Sequence, residues 1–317
     1  MKKILICGVT GFIGRNMAEH FVKDDEYQVY GVYYGKEPWD CPNITFIKAD
    51  LREEHQVGQV VQGMDIIIQA AATTSGSKDI ISRPYIHVTD NAVMNSLIFR
   101  AASESNVKHV IFFSCGVMYQ PGRLPRKEQD FKADDEMVPQ YFGVGWTKVY
   151  IEKMCEFYSR VSETKYTVLR QSNIYGPYDK YDYEHSHMFG ATIRKVADTE
   201  DGGGIVIWGD GKETRDLLYV EDVVDFVDRA IKGQKEKFQL CNVGYGMAYS
   251  VNDVVRKIIE ASGKDITVSH DIAKPSIPTH LCFDIEKANK LFGWRPKVSL
   301  EEGIKKTLQW YQDSRRI

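Results

Sequence analysis

Apolar residues in the N-terminal half fall into short unbroken runs, separated by stretches with helical spacing. Lys3–Cys7 is a run of the first kind, and its lack of alternation predicts a strand covered on both faces. In Phe12–Lys23 the apolar positions Phe12, Ile13, Met17, Phe21 and Val22 recur along one helix face. The pattern then repeats. Gln28–Tyr33 and Ile44–Lys48 are predicted strands, Glu53–Gln62 a polar helix and Asp65–Ala70 a nearly all-apolar strand. A long helix is expected over Arg83–Ser105, followed by strand His109–Ser114, helix Gly143–Val161 and strand Tyr166–Arg170. Such alternation argues for an α/β fold built on a parallel sheet with helices on both faces.

Beyond Ser172 the rhythm loosens. Strands are expected at Ile205–Trp208 and Phe238–Val243, and helices at Val220–Lys232, Val251–Ser262 and Leu300–Asp313, with aromatic-rich loops between them. This part is read as a smaller unit closing over the C-terminal edge of the sheet, where ligands of open α/β sheets bind. A chain of 317 residues exceeds what one core usually serves. The expected division is residues 1–174 with about 217–246 in the sheet unit, and about 175–216 with 247–317 in a smaller α/β unit that binds the substrate.

Composition narrows the function classes. A net charge of −3 gives no reason to expect nucleic acid as a partner. None of the six cysteines forms a Cys-x-x-Cys pair, so no metal or redox motif is expected and reduced, mostly buried thiols are. The first apolar run is short and ends in a glycine turn, unlike a secretion signal. No stretch approaches the roughly 20 apolar residues of a membrane span. A soluble, cytoplasmic protein without membrane partners is the expectation.

The strongest motif is Gly8-Val9-Thr10-Gly11-Phe12-Ile13-Gly14, between a predicted strand and a predicted helix. In that setting the first glycine allows the tight turn, the second lets backbone approach a pyrophosphate, and the third lets helix and sheet pack closely. The helix N-terminus adds free N–H groups and a favourable dipole. The reading is a Rossmann-type doubly wound sheet that binds a nicotinamide dinucleotide. Asp50, closing the third strand, suits either an adenine amino group or the N-cap of the next helix. The second strand ends in Tyr33-Tyr34-Gly35-Lys36, without the acid that would bond a ribose 2′-hydroxyl. Lys36 and Arg15 are cations that suit a 2′-phosphate, which favours NADP over NAD.

These residues resemble the extended short-chain dehydrogenase/reductase family, which acts on nucleotide sugars. The resemblance runs through GVTGFIG, Asp50-Leu51, Ile67–Ala72 (IIQAAA), Asn91, Phe112–Tyr119 (FFSCGVMY), Lys148, Leu169–Pro177 (LRQSNIYGP), Trp208–Val223, Cys241–Gly244 and Leu291–Ile304. It implies that Gly8, Thr10, Gly11, Phe12, Ile13, Gly14, Leu51, Ala70, Ala71, Ala72 and Lys148 line the cofactor, and that Asn173 faces the substrate. One stretch, Tyr183-Glu184-His185-Ser186-His187 with the helix ending Ile193-Arg194-Lys195, is most similar to the GDP-fucose synthases. That likeness implies a GDP-sugar, with Trp208 stacking on the base, Lys195 and Arg215 holding diphosphate or sugar hydroxyls, and His187 acting as an acid. It also implies a homodimer formed through the helices Arg83–Ser105 and Gly143–Val161. Leu97, Ile98, Ala101, Val149, Met154 and Phe157 are the apolar residues of these helices, some of which must face the sheet while the others supply the contact.

The family moves a hydride between sugar C4 and the nicotinamide while a tyrosine exchanges the hydroxyl proton. A lysine four residues later lowers that tyrosine's pKa and holds the nicotinamide ribose. Here the lysine is Lys148, but Val144 stands at the tyrosine position and Cys115 at that of the Ser or Thr that orients the sugar hydroxyl. Gly116 and Val117 replace the acidic pair of the dehydratases, and Val117 also stands where the synthases carry a cysteine. His280 and Leu281 replace the basic pair expected before Asp284. Valine cannot exchange a proton. Three readings follow. An oxidoreductase or epimerase works with an atypical acid/base, for which Tyr141, one helical turn before Val144, and Cys115 beside Lys148 are the candidates. Alternatively the chain binds cofactor and nucleotide sugar without turnover, as a regulatory or partner subunit. In the third, position 144 is itself an altered residue.

Overall fold

The structure is a computed structural model, and it describes residues 1–74, 82–183, 186–274, 277 and 279–315. Seven parallel strands form the central sheet: β1 (Lys2–Cys7), β2 (Tyr27–Tyr33), β3 (Ile44–Lys48), β4 (Ile66–Gln69), β5 (His109–Cys115), β6 (Lys165–Gln171) and β10 (Phe238–Val243). Their order is β10-β6-β5-β4-β1-β2-β3, a doubly wound arrangement in which the strand order reverses beside β1. Ile4, Leu5, Ile6 and Cys7 are all fully buried, as expected of a strand covered on both faces.

Helices α1 (Phe12–Phe21) and α6 (Val220–Gly233) cover one face, and α2 (Glu54–Val61), α3 (Thr89–Glu104) and α4 (Phe142–Val161) the other. On α6 the residues Val220, Val223, Val224, Phe226, Val227 and Ala230 form one buried stripe, each larger side chain contributing about 1.5–3 kcal/mol. A second apolar core joins β7 (Asn173–Tyr175), α5 (Met188–Asp198), β8 (Gly204–Trp208), β9 (Thr214–Tyr219), α7 (Val251–Ser262) and α9 (Leu300–Ser314). Around it lie a sheet of order β11-β9-β7, where β11 is Ala248–Ser250, and the parallel pair of β8 with β12 (Thr267–Asp271). Helix α8 (Glu286–Phe292) leads into the tail. Buried Asp222 secures that tail by accepting from the Lys297 and Val298 amides at 2.9 and 3.1 Å.

Two expectations need correction. The long helix from Arg83 is broken: a 3₁₀ turn spans Pro84–His87, and the α-helix begins at Thr89. Pro84 opens the 3₁₀ turn, and the Asn91 amide donates to the His87 carbonyl at 2.9 Å and the Thr73 carbonyl at 3.0 Å, tying the junction to a second run of chain. Several short elements were not expected from the apolar pattern, namely β7, β9, β11, β12 and α8. β12 carries almost no apolar run, since four of its five residues are exposed, and β7 and β11 have only three residues each. Among the described residues no helix is long and apolar enough to cross a membrane.

Candidate nucleotide and nucleotide-sugar site

The turn after β1 is built as a cradle. Gly8 has φ +75°, and a Cβ there would lie 2.7 Å from the Ala71 Cα. A Cβ at Gly14 would lie 2.2 Å from the Gly8 carbonyl oxygen. Both positions therefore exclude side chains, and the small run Ala70-Ala71-Ala72 after β4 passes directly behind the turn. Helix α1 starts at Phe12 with no side-chain cap on Gly11 and no acid in its first turn, so its N-terminus is left to an external anion. Thr10, Phe12 and Ile13 keep part of their surface at this corner. Asn91 fixes the facing segment by accepting from the Thr73 amide at 3.0 Å. These residues fit the pyrophosphate of a dinucleotide, held by Gly8–Gly14 and the α1 N–H groups.

The adenosine end departs from expectation. Asp50 is not the N-cap of α2. The helix begins later, at Glu54, with Glu53 at the N-cap position and no side-chain cap. The Asp50 carboxylate instead accepts from the Arg52 amide at 2.9 Å and from its guanidinium at 2.9 and 2.7 Å. Arg52 chiefly holds this carboxyl below its usual pKa. Leu51 is buried in the core between α2 and the sheet. Arg15 bonds Glu19 at 3.0 Å and lies between the rings of Trp39 and Tyr178, 4.3 and 3.9 Å from their centroids. It is thus a partnered cation, while Lys36 is exposed.

At the C-terminal end of β5 the structure brings Cys115, Lys148 and Val144 to one corner. Lys148 donates to the Phe113 carbonyl at 2.8 Å, and burial lowers its pKa while Cys115 and Glu152 raise it. For Cys115 burial is the largest influence and raises the pKa, outweighing the pull of Lys148. Tyr141 ends a 3₁₀ turn immediately before α4. Burial raises its pKa as well, and its charged neighbours are Arg215, which lowers it, and Cys115.

Arg215 on β9 donates to the Thr279 carbonyl and hydroxyl, both at 2.8 Å, to the Ile277 carbonyl at 3.0 Å and to the Thr214 carbonyl at 3.1 Å. Among the described residues no carboxylate pairs with it. A guanidinium fixed by carbonyls with its charge unbalanced suits a diphosphate. Exposed Asn173 on β7 stands opposite Leu217, two residues further along β9 than Arg215. Lys195 and Trp208 meet elsewhere, in a cavity of about 410 Å³ shared with Tyr183, Asp198, Thr199 and Val206. Lys195 donates to the Val206 carbonyl at 2.6 Å, and burial lowers its pKa. His187 precedes α5, and its pKa is lowered by desolvation, then by Lys180 and His87. Its charged neighbours are these residues rather than Lys148 or Cys115. Glu184 and His185 lie outside the described residues. A wider groove of about 730 Å³, lined by His20, Asp24, Asp228 and Lys232, is at the opposite edge of the sheet, and its charges largely pair with one another.

The sequence reading missed a buried polar network beneath Lys148. Glu152 and Arg170 are 3% and 4% exposed and pair at 2.6 Å. Ser114 donates to the same carboxylate at 2.6 Å, and Arg170 donates to the Tyr119 hydroxyl at 3.0 Å. Tyr119 in turn donates to Asn242 at 2.7 Å. The available signal was a charged residue inside the apolar run Tyr166–Arg170, since a buried strand charge must find a partner. Removing one member of such a pair typically costs about 3–5 kcal/mol.

The chain matches known proteins along its whole length. It is 29% identical over 314 residues to a GDP-L-colitose synthase of Yersinia pseudotuberculosis, covering 98% of this chain and 97% of that one. It is 28% identical over 319 residues to a GDP-L-fucose synthase of Azorhizobium caulinodans, covering 98% and 96%. The structure of a UDP-glucose 4-epimerase from Thermotoga maritima with UDP-glucose superposes with a TM-score of 0.87 at 26% identity, covering 98% and 99%. The sequence profile of the NAD dependent epimerase/dehydratase family matches residues 4–244, a span that holds the glycine cradle, Lys148 and Arg215, and the chain belongs to that family.

Proposed function

We propose that this protein binds a nicotinamide dinucleotide and a nucleoside-diphosphate sugar and transfers hydride at sugar C4, with an atypical proton carrier. The observation that carries the proposal is the pairing of an uncapped glycine cradle with Arg215, a fixed guanidinium without a carboxylate partner among the described residues. The cofactor supplies the hydride acceptor. Lys148 holds its ribose, Asn173 and Arg215 hold the sugar diphosphate, and Trp208 with Lys195 takes the base. Tyr141 and Cys115 are the groups near Val144 that carry a proton, and His187 serves any acid step further along the cleft. GDP is the leading base, supported by two relatives whose names carry GDP-sugars. NADP is the finer reading of the cofactor, supported by the missing acid after β2 and by exposed Lys36, while Arg15 contributes less because it is already stacked and paired. Calorimetric titration with GDP, UDP, CDP and dTDP, and with NADPH and NADH, tests these assignments. GDP and NADPH are expected to bind first in rank. A tenfold preference for another base, about 1.4 kcal/mol, overturns the guanine assignment.

A second reading is favoured by Val144 itself, together with the raised pKa values of Cys115 and Tyr141. On it the protein binds both ligands without turnover. A chain that retains nucleotide-sugar affinity yet leaves every offered sugar unchanged would establish it. The homodimer is proposed on the outer surface of α3 and α4, where Val93, Tyr150, Phe157 and Val161 are 39, 52, 56 and 61% exposed. Ile98 and Val149 are buried within the subunit and do not belong to that surface. Sedimentation equilibrium across a concentration series checks it.

A further inference from the structure

We propose that Glu152 is a positioning residue for the cofactor: its clamped carboxylate fixes Lys148 and thereby the affinity for the nicotinamide half of the dinucleotide. The proposal rests on the reading that Lys148 holds the nicotinamide ribose. Lys148 and Glu152 occupy successive turns of α4, and each is tied to the same strand. Lys148 donates to the Phe113 carbonyl at 2.8 Å, and Glu152 accepts from the hydroxyl of the next residue, Ser114, at 2.6 Å. The helix is thus stapled to the end of β5 at two adjacent residues, immediately before Cys115. Arg170 stands opposite Ser114 in the sheet register and grips the Glu152 carboxylate through Nε at 3.0 Å and Nη2 at 2.6 Å. Its remaining donors reach the Tyr119 hydroxyl at 3.0 Å and the Glu128 carbonyl at 3.1 Å. Glu152 therefore sits between two cations, one bonded to it and one a helical turn away. An anion so placed balances the charge of Lys148 and sets the angle at which α4 presents the lysine to the cleft.

The test compares binding of NAD, ADP-ribose and ADP to four proteins: the unmodified chain, Lys148→Met, Glu152→Gln, and the double variant Glu152→Gln/Arg170→Met. ADP lacks the ribose that Lys148 would hold. Glu152→Gln is expected to weaken NAD and ADP-ribose at least tenfold and ADP less than twofold, with a fall in Tm because Arg170 loses its counter-charge. The double variant removes both buried charges, so its Tm is expected to recover while NAD affinity stays low. Recovery of NAD affinity along with Tm would show a purely structural role and overturn the proposal. So would an equal loss for all three ligands, or an unchanged NAD affinity in Glu152→Gln. Lys148→Met separates the two layers. If it leaves NAD affinity intact, the ribose role of Lys148 fails; if it weakens NAD while Glu152→Gln does not, only the positioning role fails.

Discussion

The corner after β1 and the corner after β5 lie at the same edge of one sheet, yet they depart from their family pattern to very different degrees. At the first, every constraint is backbone: a left-handed turn at Gly8, a contact that forbids a side chain at Gly14, and helix N–H groups without a cap. At the second, the scaffold is intact, with Lys148 anchored and Glu152 and Arg170 paired beneath it, but the side chain that exchanges a proton is replaced by Val144. The difference teaches that the groups placed for binding and those placed for proton chemistry are built from separate parts of the chain and can be tested separately. The backbone geometry that receives a dinucleotide does not depend on the side chain at position 144.

The sharpest way to break the comparison is to damage the first corner without damaging the fold. Gly11 is the N-cap of α1 with φ −81° and ψ 170°, and a Cβ there would meet only the Gly8 carbonyl oxygen, at 3.2 Å. Aspartate suits such a position and improves on glycine there by about a few tenths of a kcal/mol. Its carboxylate would also occupy the place of the pyrophosphate, and two like charges about 4 Å apart repel by roughly 4 kcal/mol at an effective dielectric near 20. Gly11→Asp is expected to keep or raise Tm and to weaken dinucleotide binding more than 100-fold in a fluorescence titration. Retained affinity would remove the cradle from the site.

The two corners were also unequally legible. The first is local, seven consecutive residues between a strand and a helix, so sequence spacing alone specified it, together with the parallel sheet around it. The second joins β5, α4 and β6, and the Glu152–Arg170 pair became visible only when register set Ser114 opposite Arg170. Of the two roles open to Asp50, the N-cap falls away because α2 starts later, with Glu53 at its N-cap position, and Arg52 takes the Asp50 carboxylate. Arg15 looked like an open cation because nothing local in the sequence shows Trp39 and Tyr178 closing on it. The sequence pairs Lys195 with Arg215 as diphosphate ligands, whereas the structure sets Lys195 beside Trp208 in one cavity and fixes Arg215 against the Thr279 carbonyl.

Restoring the missing side chain sharpens the comparison from the other corner. Val144 is one helical turn before Lys148, so Val144→Tyr brings a phenol beside a cation that favours its ionised form. Positioned acid/base groups typically contribute about 10²–10⁴ in rate. Hydride transfer with a nucleotide-linked 4-hydroxy or 4-keto sugar is expected to rise at least tenfold, read from nicotinamide absorbance, with dinucleotide affinity unchanged. No gain, combined with loss of turnover in Tyr141→Phe and Cys115→Ala, would mean that a different proton carrier already serves.

The smallest effect is expected at the opposite end of the same strand, where a polar group serves the fold alone. His109 opens β5, is 5% exposed and hydrogen-bonds the Thr167 hydroxyl at 2.7 Å, with Gln234 beyond it. Burial, with a smaller contribution from Lys165, pushes its pKa down to about 3. In the unfolded chain a histidine titrates near 6.5. Between these values the unfolded state binds the extra proton, so the contribution of His109 is full above about pH 6.5 and is lost as pH falls toward 3. The loss amounts to at most about 1.4 kcal/mol per pH unit. His109→Gln retains a hydrogen-bonding side chain and removes the titration. The stability difference between the two proteins, from urea unfolding at pH 7 and pH 5, is therefore expected to shift in favour of the variant by up to about 2 kcal/mol at the lower pH. Dinucleotide affinity at pH 7 is expected to be the same in both. A variant whose stability parallels that of the unmodified chain at both pH values would mean that His109 does not titrate on unfolding. A loss of affinity would mean that the two ends of β5 are coupled, and the separation between scaffold and chemistry would not hold along this strand.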